Sequence, residues 1–277
     1  QVVSMSASEL NSTIKQRHFA DKPNDKPRVW WRGNPVMTAF FNALSVLLPL
    51  GESFFIRSMK PFMGDIADLK LEADVQMFIS QESEHAREHA RYNRMVSEKG
   101  YDLTRIGKTF STILRAGIRH QPPMGLLANT VASEHVTAIL SELVISDERW
   151  LAGATLEHRR IWLWHAAEEI EHKAVAFDLY HSVGGGYGTR VLAMIQTGIV
   201  FPVIIGEMML RFLHHDGLLF KLSTWRQLAE FGALVLTSSG TILGRYAAFM
   251  LPNFHPNDHD DQPTLDAWGG PLDTFCV

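Results

Sequence analysis

A tetrapeptide of the form Glu-x-Glu-His occurs twice in this chain, at residues 82–85 and 169–172. In each copy the first Glu and the His are three residues apart, so on a helix they share one face, with Cβ atoms about 5–6 Å apart. A carboxylate and an imidazole at this spacing can bind one metal ion. Two such pairs in one chain therefore predict a metal site built from helices.

A single Glu lies in an apolar stretch before each copy of the tetrapeptide. Glu52 precedes Glu82 by 30 residues, and Glu134 precedes Glu169 by 35 residues. One Glu from each of two helices, with Glu-x-x-His from each of two others, is the ligand pattern of a dinuclear centre in a four-helix bundle. The pattern predicts these ligands: Glu52, Glu82, His85, Glu134, Glu169 and His172.

The types of ligand restrict the choice of metal. The only cysteine is Cys276, so neither an internal disulfide nor a thiolate metal site can form. Carboxylates and imidazoles suit iron or manganese, and zinc less specifically. Four carboxylates also largely neutralise two divalent cations, which reduces the cost of burying them. We expect two iron ions, with manganese or zinc as alternatives.

A further imidazole lies on the same face as the second motif. His165 precedes Glu169 by four residues and His172 by seven, so all three share one side of a helix. His165 is therefore a candidate third imidazole ligand. Stacking against Trp162 or Trp164 is the alternative explanation for its position.

Other polar residues near the motifs are expected to have different roles. Glu168 competes with Glu169 as the ligand, and Glu169 is favoured only because it lies three residues before His172. Glu168 is then expected on another helix face, where it is solvated or paired with a cation such as Lys173. His89 lies one turn after His85, where a salt bridge is favoured over metal ligation. Asp178 is a candidate hydrogen-bond acceptor for a ligand imidazole. Glu142 lies two turns from Glu134 and is a reserve ligand.

The apolar residues recur at helical spacing, and no alternating strand pattern exceeds a few residues, so the chain is predicted to be all-α. We expect an extended N-terminal arm over 1–34, a single helical metal-binding domain over 35–251 and an irregular tail over 252–277. The domain combines a four-helix bundle with additional C-terminal helices. The predicted helices span roughly 35–60, 68–98, 101–120, 124–151, 155–181, 189–214 and 224–250.

Composition and charge limit the partners and the compartment. A net charge of −4 with no long basic run argues against nucleic-acid binding. A single cysteine is typical of a reducing compartment, so we expect a cytoplasmic protein. Residues 191–210 are nearly all apolar and long enough to span a bilayer, but Pro202 and Glu207 interrupt them. These interruptions favour a buried helix, with membrane-surface contact as the alternative.

Four stretches of the chain, at 41–45, 51–58, 81–85 and 164–173, resemble a bacterial family labelled predicted metal-dependent hydrolases. The resemblance covers roughly residues 30–250. The overall ligand pattern also resembles the ferritin-like di-iron carboxylate proteins, which implies a ferritin-like bundle. The His-x-x-x-Glu-x-x-His run is similar to that of the di-iron p-aminobenzoate N-oxygenases, in which the first His is an additional iron ligand. That similarity implies the ligand set Glu52, Glu82, His85, Glu134, His165, Glu169 and His172.

These features lead to an expected function with two alternatives. We expect a di-iron oxidase or oxygenase that activates O₂ and acts on a small apolar or aromatic molecule. An electron donor protein and a homodimer are compatible with that function. A two-metal hydrolase, in which paired ions activate a water, could use the same ligands. A non-catalytic metal-binding bundle is the third hypothesis.

Overall fold

Helices dominate the part of the chain that the computed structural model describes, which comprises Ile14, Phe19 and residues 28–268. No strand occurs within that part, so the all-α prediction is confirmed for it. The α-helices are α1 (Pro35–Met59), α2 (Leu69–Glu98), α3 (Leu103–Ile106), α4 (Lys108–His120), α5 (Pro123–Ser146), α6 (Leu156–His172), α7 (Val175–Ser182), α8 (Tyr187–His215), α9 (Leu222–Thr237), α10 (Ser239–Phe249) and α11 (Gln262–Trp268). Short 3-10 helices occupy Lys60–Asp65, Glu148–Trp150 and Pro256–Asp258.

The start of α1 follows from its local sequence. The Asn34 side chain accepts hydrogen bonds from the backbone N–H groups of Val36 and Met37, which would otherwise lack partners at a helix start. Pro35 occupies the first turn, where its missing N–H costs nothing. The helix continues through Pro49 to Met59, so the same element that begins at the cap carries Glu52 into the protein interior.

The helices pack in pairs around two apolar clusters. α1 packs along α2, and α5 packs along α6 and α7. The pairs meet where α2 contacts α6 and α7 and where α1 contacts α5. α8 lies against both α1 and α5. The four helices that carry the predicted metal ligands, α1, α2, α5 and α6, are therefore neighbours in space.

Three predicted helices are interrupted. The third, 101–120, is divided into α3 and α4 at Gly107. The fifth, 155–181, is divided into α6 and α7, and the break comes directly after His172. The last predicted helix, 224–250, is divided into α9 and α10 at Ser238. The part of the predicted helix 155–181 that carries the candidate ligands is therefore a separate segment, α6, of 17 residues.

The described parts of the two termini pack on the helices. Most of the predicted arm, 1–34, lies outside the described residues. Within it, Phe19 lies beside Trp164 at a ring-centroid distance of 5.3 Å, and Trp30 stacks on His158 at 4.1 Å. The tail, expected to be irregular over 252–277, instead contains α11, because this segment has a partner in α5. Residues 269–277 lie outside the described part.

Two segments are long and apolar enough to cross a membrane by length and composition alone, Pro35–Asp65 and Tyr187–His215. In the first, 72% of the apolar window is buried in the protein, whereas in the second only 28% is buried. The expectation of a buried helix over 191–210 is therefore wrong. The core covers only one side of α8, where Ile204 and Met208 are buried, while Ile199 and Val203 are exposed.

Candidate metal centre

All seven predicted ligands lie together at the centre of the helix assembly. Each of the seven residues is at most 5% exposed. Four different helices supply them, so the site depends on the packing of the whole assembly. They are Glu52 on α1, Glu82 and His85 on α2, Glu134 on α5, and His165, Glu169 and His172 on α6.

The first group of ligand atoms contains two imidazoles. Glu52, His85 and His165 each offer one ligand atom, and these atoms lie within 4.8 Å of one another. Oε1 of Glu169 lies 3.4 Å from Nδ1 of His85 and 3.4 Å from Nε2 of His165. This group therefore combines nitrogen from two helices with carboxylates from α1 and α6.

The second group contains one imidazole. Ligand atoms of Glu82, Glu134 and His172 lie within 4.8 Å of one another. Nε2 of His172 lies 3.1 Å from Oε1 of Glu82 and 3.4 Å from Oε2 of Glu134. Compared with the first group, this one has fewer nitrogen atoms and more carboxylate oxygens.

Two carboxylates connect the groups. Ligand atoms of Glu82, His85 and Glu169 form a third set within the same 4.8 Å limit. Oε1 of Glu169 also lies 3.5 Å from Nε2 of His172, so it approaches an imidazole of each group. Glu82 and Glu169 therefore lie between the two groups, and each approaches an imidazole of both.

Two hydrogen bonds orient the ligand imidazoles. Nε2 of His85 lies 2.9 Å from Oε2 of Glu168, and Nδ1 of His172 lies 3.0 Å from Oε1 of Gln81. When these nitrogens carry the proton and donate it, the opposite ring nitrogens face the carboxylate cluster as acceptors. Such partners fix the tautomer and direction of a metal-binding imidazole.

The prediction that Glu168 is solvated is wrong. Its side chain is 0% exposed, because α6 meets α2 on that side as well as facing the ligand cluster. Sequence reasoning also missed Gln81. The available signal was its position directly before Glu82, on the helix face that turns toward α6 and α7.

Two other polar residues have partners outside the cluster. Nδ1 of His89 lies 3.0 Å from Oγ of Ser45, and the His89 ring lies 4.9 Å from that of His165. His89 is thus a buried neighbour of the cluster and not the salt-bridge partner that was expected. Asp178 pairs with His255 at 2.8 Å and does not support a ligand imidazole.

A second acidic cluster, at Glu142, His259 and Asp261, has a different electrostatic environment. Arg245 lies 2.8 Å from Glu142 and 3.3 Å from Asp261, and Lys173 pairs with Asp261. Two cationic side chains therefore already balance these carboxylates. Glu142, the reserve ligand, belongs to this ion-pair network.

The pKa values in the cluster reflect a lack of positive charge. Burial and the neighbouring Glu82 hold the pKa of Glu52 well above its ordinary value. Burial and Glu169 raise the pKa of Glu134 to about 8. Burial would also raise the pKa of Glu169, but the charge of His172 and the close imidazoles of His172 and His85 hold it well below its ordinary value. Carboxylates this close together cannot all ionise without a cation between them.

Unsatisfied polar atoms mark the same place. Both carboxylate oxygens of Glu52, Glu82 and Glu134 are buried and accept no hydrogen bond within the described residues. A buried polar group without a partner costs about 1–3 kcal/mol, and more when it is charged. Coordination to divalent cations would satisfy these oxygens and neutralise their charge. The residues present therefore fit a metal centre with oxygen and nitrogen ligands.

An apolar cavity of about 130 Å³ ends at one member of the cluster. Its walls come from α1, α4, α5 and α8, and Glu52 is the ligand residue among its lining residues. Four aromatic residues near the cluster take two kinds of position. Phe54 and Phe55 line the cavity, whereas Phe78 and Trp164 pack on the rings of His172 and His85. The cluster therefore has an apolar side at Glu52.

Comparison with known proteins gives one match. A family model described as "Predicted metal-dependent hydrolase" matches residues 14–260, which include all seven candidate ligands. Neither the curated proteins nor the solved structures contain a match to the chain.

Proposed function

The chain belongs to the family of predicted metal-dependent hydrolases, and we propose from this premise that it hydrolyses its substrate at a centre of two metal ions. The observation that carries the proposal is the position of Glu52. This residue belongs to the buried ligand cluster and also to the wall of the apolar cavity. A substrate in the cavity would therefore have its reacting bond beside the metal centre.

The expected di-iron oxidase or oxygenase function is contradicted by the family, whose description names hydrolysis. The similarity to the p-aminobenzoate N-oxygenases is limited to the His-x-x-x-Glu-x-x-His run on α6. Metal-dependent hydrolysis requires water and a metal ion that activates it, and it requires neither dioxygen nor an electron donor.

The proposed centre uses the two ligand groups as two ion sites. Glu52, His85 and His165 would hold one ion, and Glu134 and His172 would hold the other. Glu82 and Glu169 would bridge them. The helices α1, α2, α5 and α6 would then form a ferritin-like four-helix bundle around the ions. Iron, manganese and zinc all suit carboxylate and imidazole ligands, so metal analysis must identify the native ion.

Paired ions of this kind supply an activated water and polarise the substrate oxygen. The remaining requirements fall on the side chains of the protein. Glu168 and Gln81 orient His85 and His172 through the hydrogen bonds described above. Phe54 and Phe55 exclude bulk water from the cavity side of Glu52. The apolar walls favour a substrate with an apolar group next to the hydrolysed bond.

Metal analysis combined with an esterase assay tests this function. We expect the purified protein to contain about two ions per chain and to hydrolyse p-nitrophenyl hexanoate. Chelation should abolish the activity, and the removed ion should restore it. Ester hydrolysis that survives complete metal removal, or bound metal without hydrolysis of carboxylic or phosphoric esters, would overturn the proposal.

A pair of matched variants tests the location of the centre. Glu82→Ala with His172→Ala should lose the metal and retain helical circular dichroism. Glu142→Ala with His259→Ala removes the same residue types from the second acidic cluster and should retain the metal. Unchanged metal content in the first variant contradicts the proposed ligand set.

A further inference from the structure

Helix α4 presents a cationic surface beside the cavity. Between residues 103 and 133 the chain contains no Asp or Glu. The basic residues of this stretch are exposed, and none forms an ion pair within the described part of the chain. On its inner side, α4 lines the cavity with Phe110 and Leu114. The exposed basic residues are Arg105, Lys108, Arg115 and Arg119.

Helix α8 lies antiparallel to α4 across the cavity. Near the start of α4, Oγ1 of Thr109 donates a hydrogen bond of 2.8 Å to Oε1 of Glu207 on α8. Toward its other end, Gly117 lines the same cavity as Gln196, which lies earlier on α8. The cationic surface and the outer side of α8 are therefore adjacent.

The outer side of α8 carries an exposed apolar stripe. The stripe residues are three or four positions apart, the spacing of one helix face. The one charged residue between 187 and 206 is Arg190, which is 0% exposed, so no charge interrupts the stripe. The stripe consists of Leu192 (65% exposed), Ile195 (44%), Ile199 (62%) and Val203 (63%).

The cavity reaches the surface between the two helices. Ile113 on α4 is 40% exposed and Gln196 on α8 is exposed, and both line the cavity. Glu52, which is 1% exposed, lines its inner end. An apolar group entering from this surface therefore reaches the ligand cluster without leaving an apolar environment.

We propose that the face formed by α4 and α8 docks on an anionic lipid bilayer, and that the cavity takes the acyl chain of a lipid substrate from it. An apolar helix side next to basic residues is the combination by which interfacial helices bind anionic membranes. The substrate class rests on the proposed hydrolase function, whereas the docking does not.

Charge complementarity favours a bilayer over a second copy of this chain. A symmetric dimer places the same patch of both subunits together. The acidic residues from α8 through α9 already have basic partners: Glu207 pairs with Arg211, Asp216 with Arg28 and Glu230 with Arg226. A second copy would thus bring more unpaired positive charge to the interface, whereas anionic headgroups supply the negative charge that α4 lacks.

The size of the cavity sets the length of chain that it holds. An apolar cavity of roughly 150 Å³ binds benzene, so about 130 Å³ corresponds to a segment of about six carbons. The reacting ester or amide bond would then lie beside Glu52, with the rest of the lipid at the bilayer surface.

Vesicle co-sedimentation of the full chain tests the docking. We expect binding to vesicles of phosphatidylcholine and phosphatidylglycerol, weaker binding to phosphatidylcholine alone, and weakening by salt. Arg115→Ala with Arg119→Ala should raise the lipid concentration for half-binding roughly thirtyfold, because each basic residue contributes about fivefold near an anionic surface. Arg57→Ala with Arg94→Ala, which changes exposed residues of α1 and α2 outside the cavity, should bind as the wild type does. Equal loss in both pairs would overturn the proposal.

A second variant separates a bilayer from a protein partner. Ile199→Ser with Val203→Ser should weaken vesicle binding while light scattering shows an unchanged oligomeric state. If this variant instead converts a dimer into monomers, and the wild type does not bind vesicles, the face is a dimer interface and the proposal is wrong. Vesicle binding without hydrolysis of any ester would contradict the proposed function but not the docking. Hydrolysis of soluble esters without vesicle binding would contradict the docking but not the proposed function.

Discussion

Nε2 of His85 lies 2.9 Å from Oε2 of Glu168, and neither side chain has any exposed surface. The other ring nitrogen, Nδ1, has no hydrogen-bond partner and faces Oε1 of Glu169 at 3.4 Å. The Glu168 carboxylate thus contacts one nitrogen of the His85 imidazole, while the other nitrogen of the same ring faces the cluster. This is the arrangement by which proteins orient and strengthen an imidazole ligand.

Replacement of Glu168 tests this relationship. In Glu168→Ala, His85 loses the partner that fixes its tautomer, and affinity for the ion near Glu52 should fall about 10–100-fold. Glu168→Gln retains an oxygen acceptor for Nε2–H and should have an intermediate effect. Competition with a chromogenic chelator measures both affinities. Equal affinity in the wild type and the Ala variant would show that Glu168 does not support the ligand.

Gln81 provides the corresponding test for the other ion. In Gln81→Met the hydrogen bond to Nδ1 of His172 is lost while the volume of the side chain is nearly conserved. We expect the metal content to fall toward one ion per chain at limiting metal, because only the group of Glu82, Glu134 and His172 is affected. Loss of both ions together would mean that the two ions bind as one unit.

The grouping of the candidate ligands could be predicted from the sequence because their spacing is a property of a single helix. Glu-x-x-His places two side chains on one face wherever the helix lies, so Glu82 with His85 and Glu169 with His172 could be paired in advance. The role of Glu168 depends on the angle at which α6 meets α2, which no local pattern encodes. The exposure of α8 has the same origin, since Ile199 and Ile204 are alike in sequence and differ only in what covers them.

The metal-free protein should lose stability as the pH rises from about 6.5 to 8. The pKa of Glu134 is raised by burial and Glu169 from its ordinary value of 4.5 to about 8. Between these values the folded protein holds a proton that the unfolded chain has released, so a higher pH favours unfolding, by at most about 1.4 kcal/mol per pH unit for one group. Burial also raises the pKa of Glu52, and the effect has the same sign.

His165 sets the lower limit of this pH window. Burial and the charge of His85 hold the pKa of His165 well below its ordinary value of 6.5, so below pH 6.5 its contribution to stability rises with pH and opposes that of Glu134. Despite burial, the carboxylates around His85 and His172 hold the pKa of each imidazole well above 6.5, so their contributions also fall as the pH rises above 6.5 and have the same sign as that of Glu134. The contribution of Glu134 is therefore measured as the difference between wild type and variant in thermal unfolding of the metal-free protein between pH 6.5 and 8. Glu134→Gln should reduce the slope and be more stable than the wild type at pH 8, whereas Glu142→Gln should leave the slope unchanged. A wild-type stability that increases over this range would contradict the protonation states described here.

Filling the cavity should change substrate preference without loss of the metal. A Cβ atom at Gly117 would meet only Nε2 of Gln121, at 3.8 Å, so Gly117→Leu fits the helix and extends into the cavity. In the wild type the four extra methylenes of a hexanoyl ester over an acetyl ester are worth about 0.8 kcal/mol each when fully buried, an upper limit of roughly two-hundredfold in kcat/KM. The variant should lose most of this preference because KM for the hexanoyl ester rises, whereas the kinetics with the acetyl ester and the metal content should change little.

Gly232→Leu on α9, where a Cβ also has open space, is the matched control and should retain the wild-type preference. A hexanoyl preference that persists in Gly117→Leu would mean that the acyl group binds elsewhere than in the cavity beside Glu52.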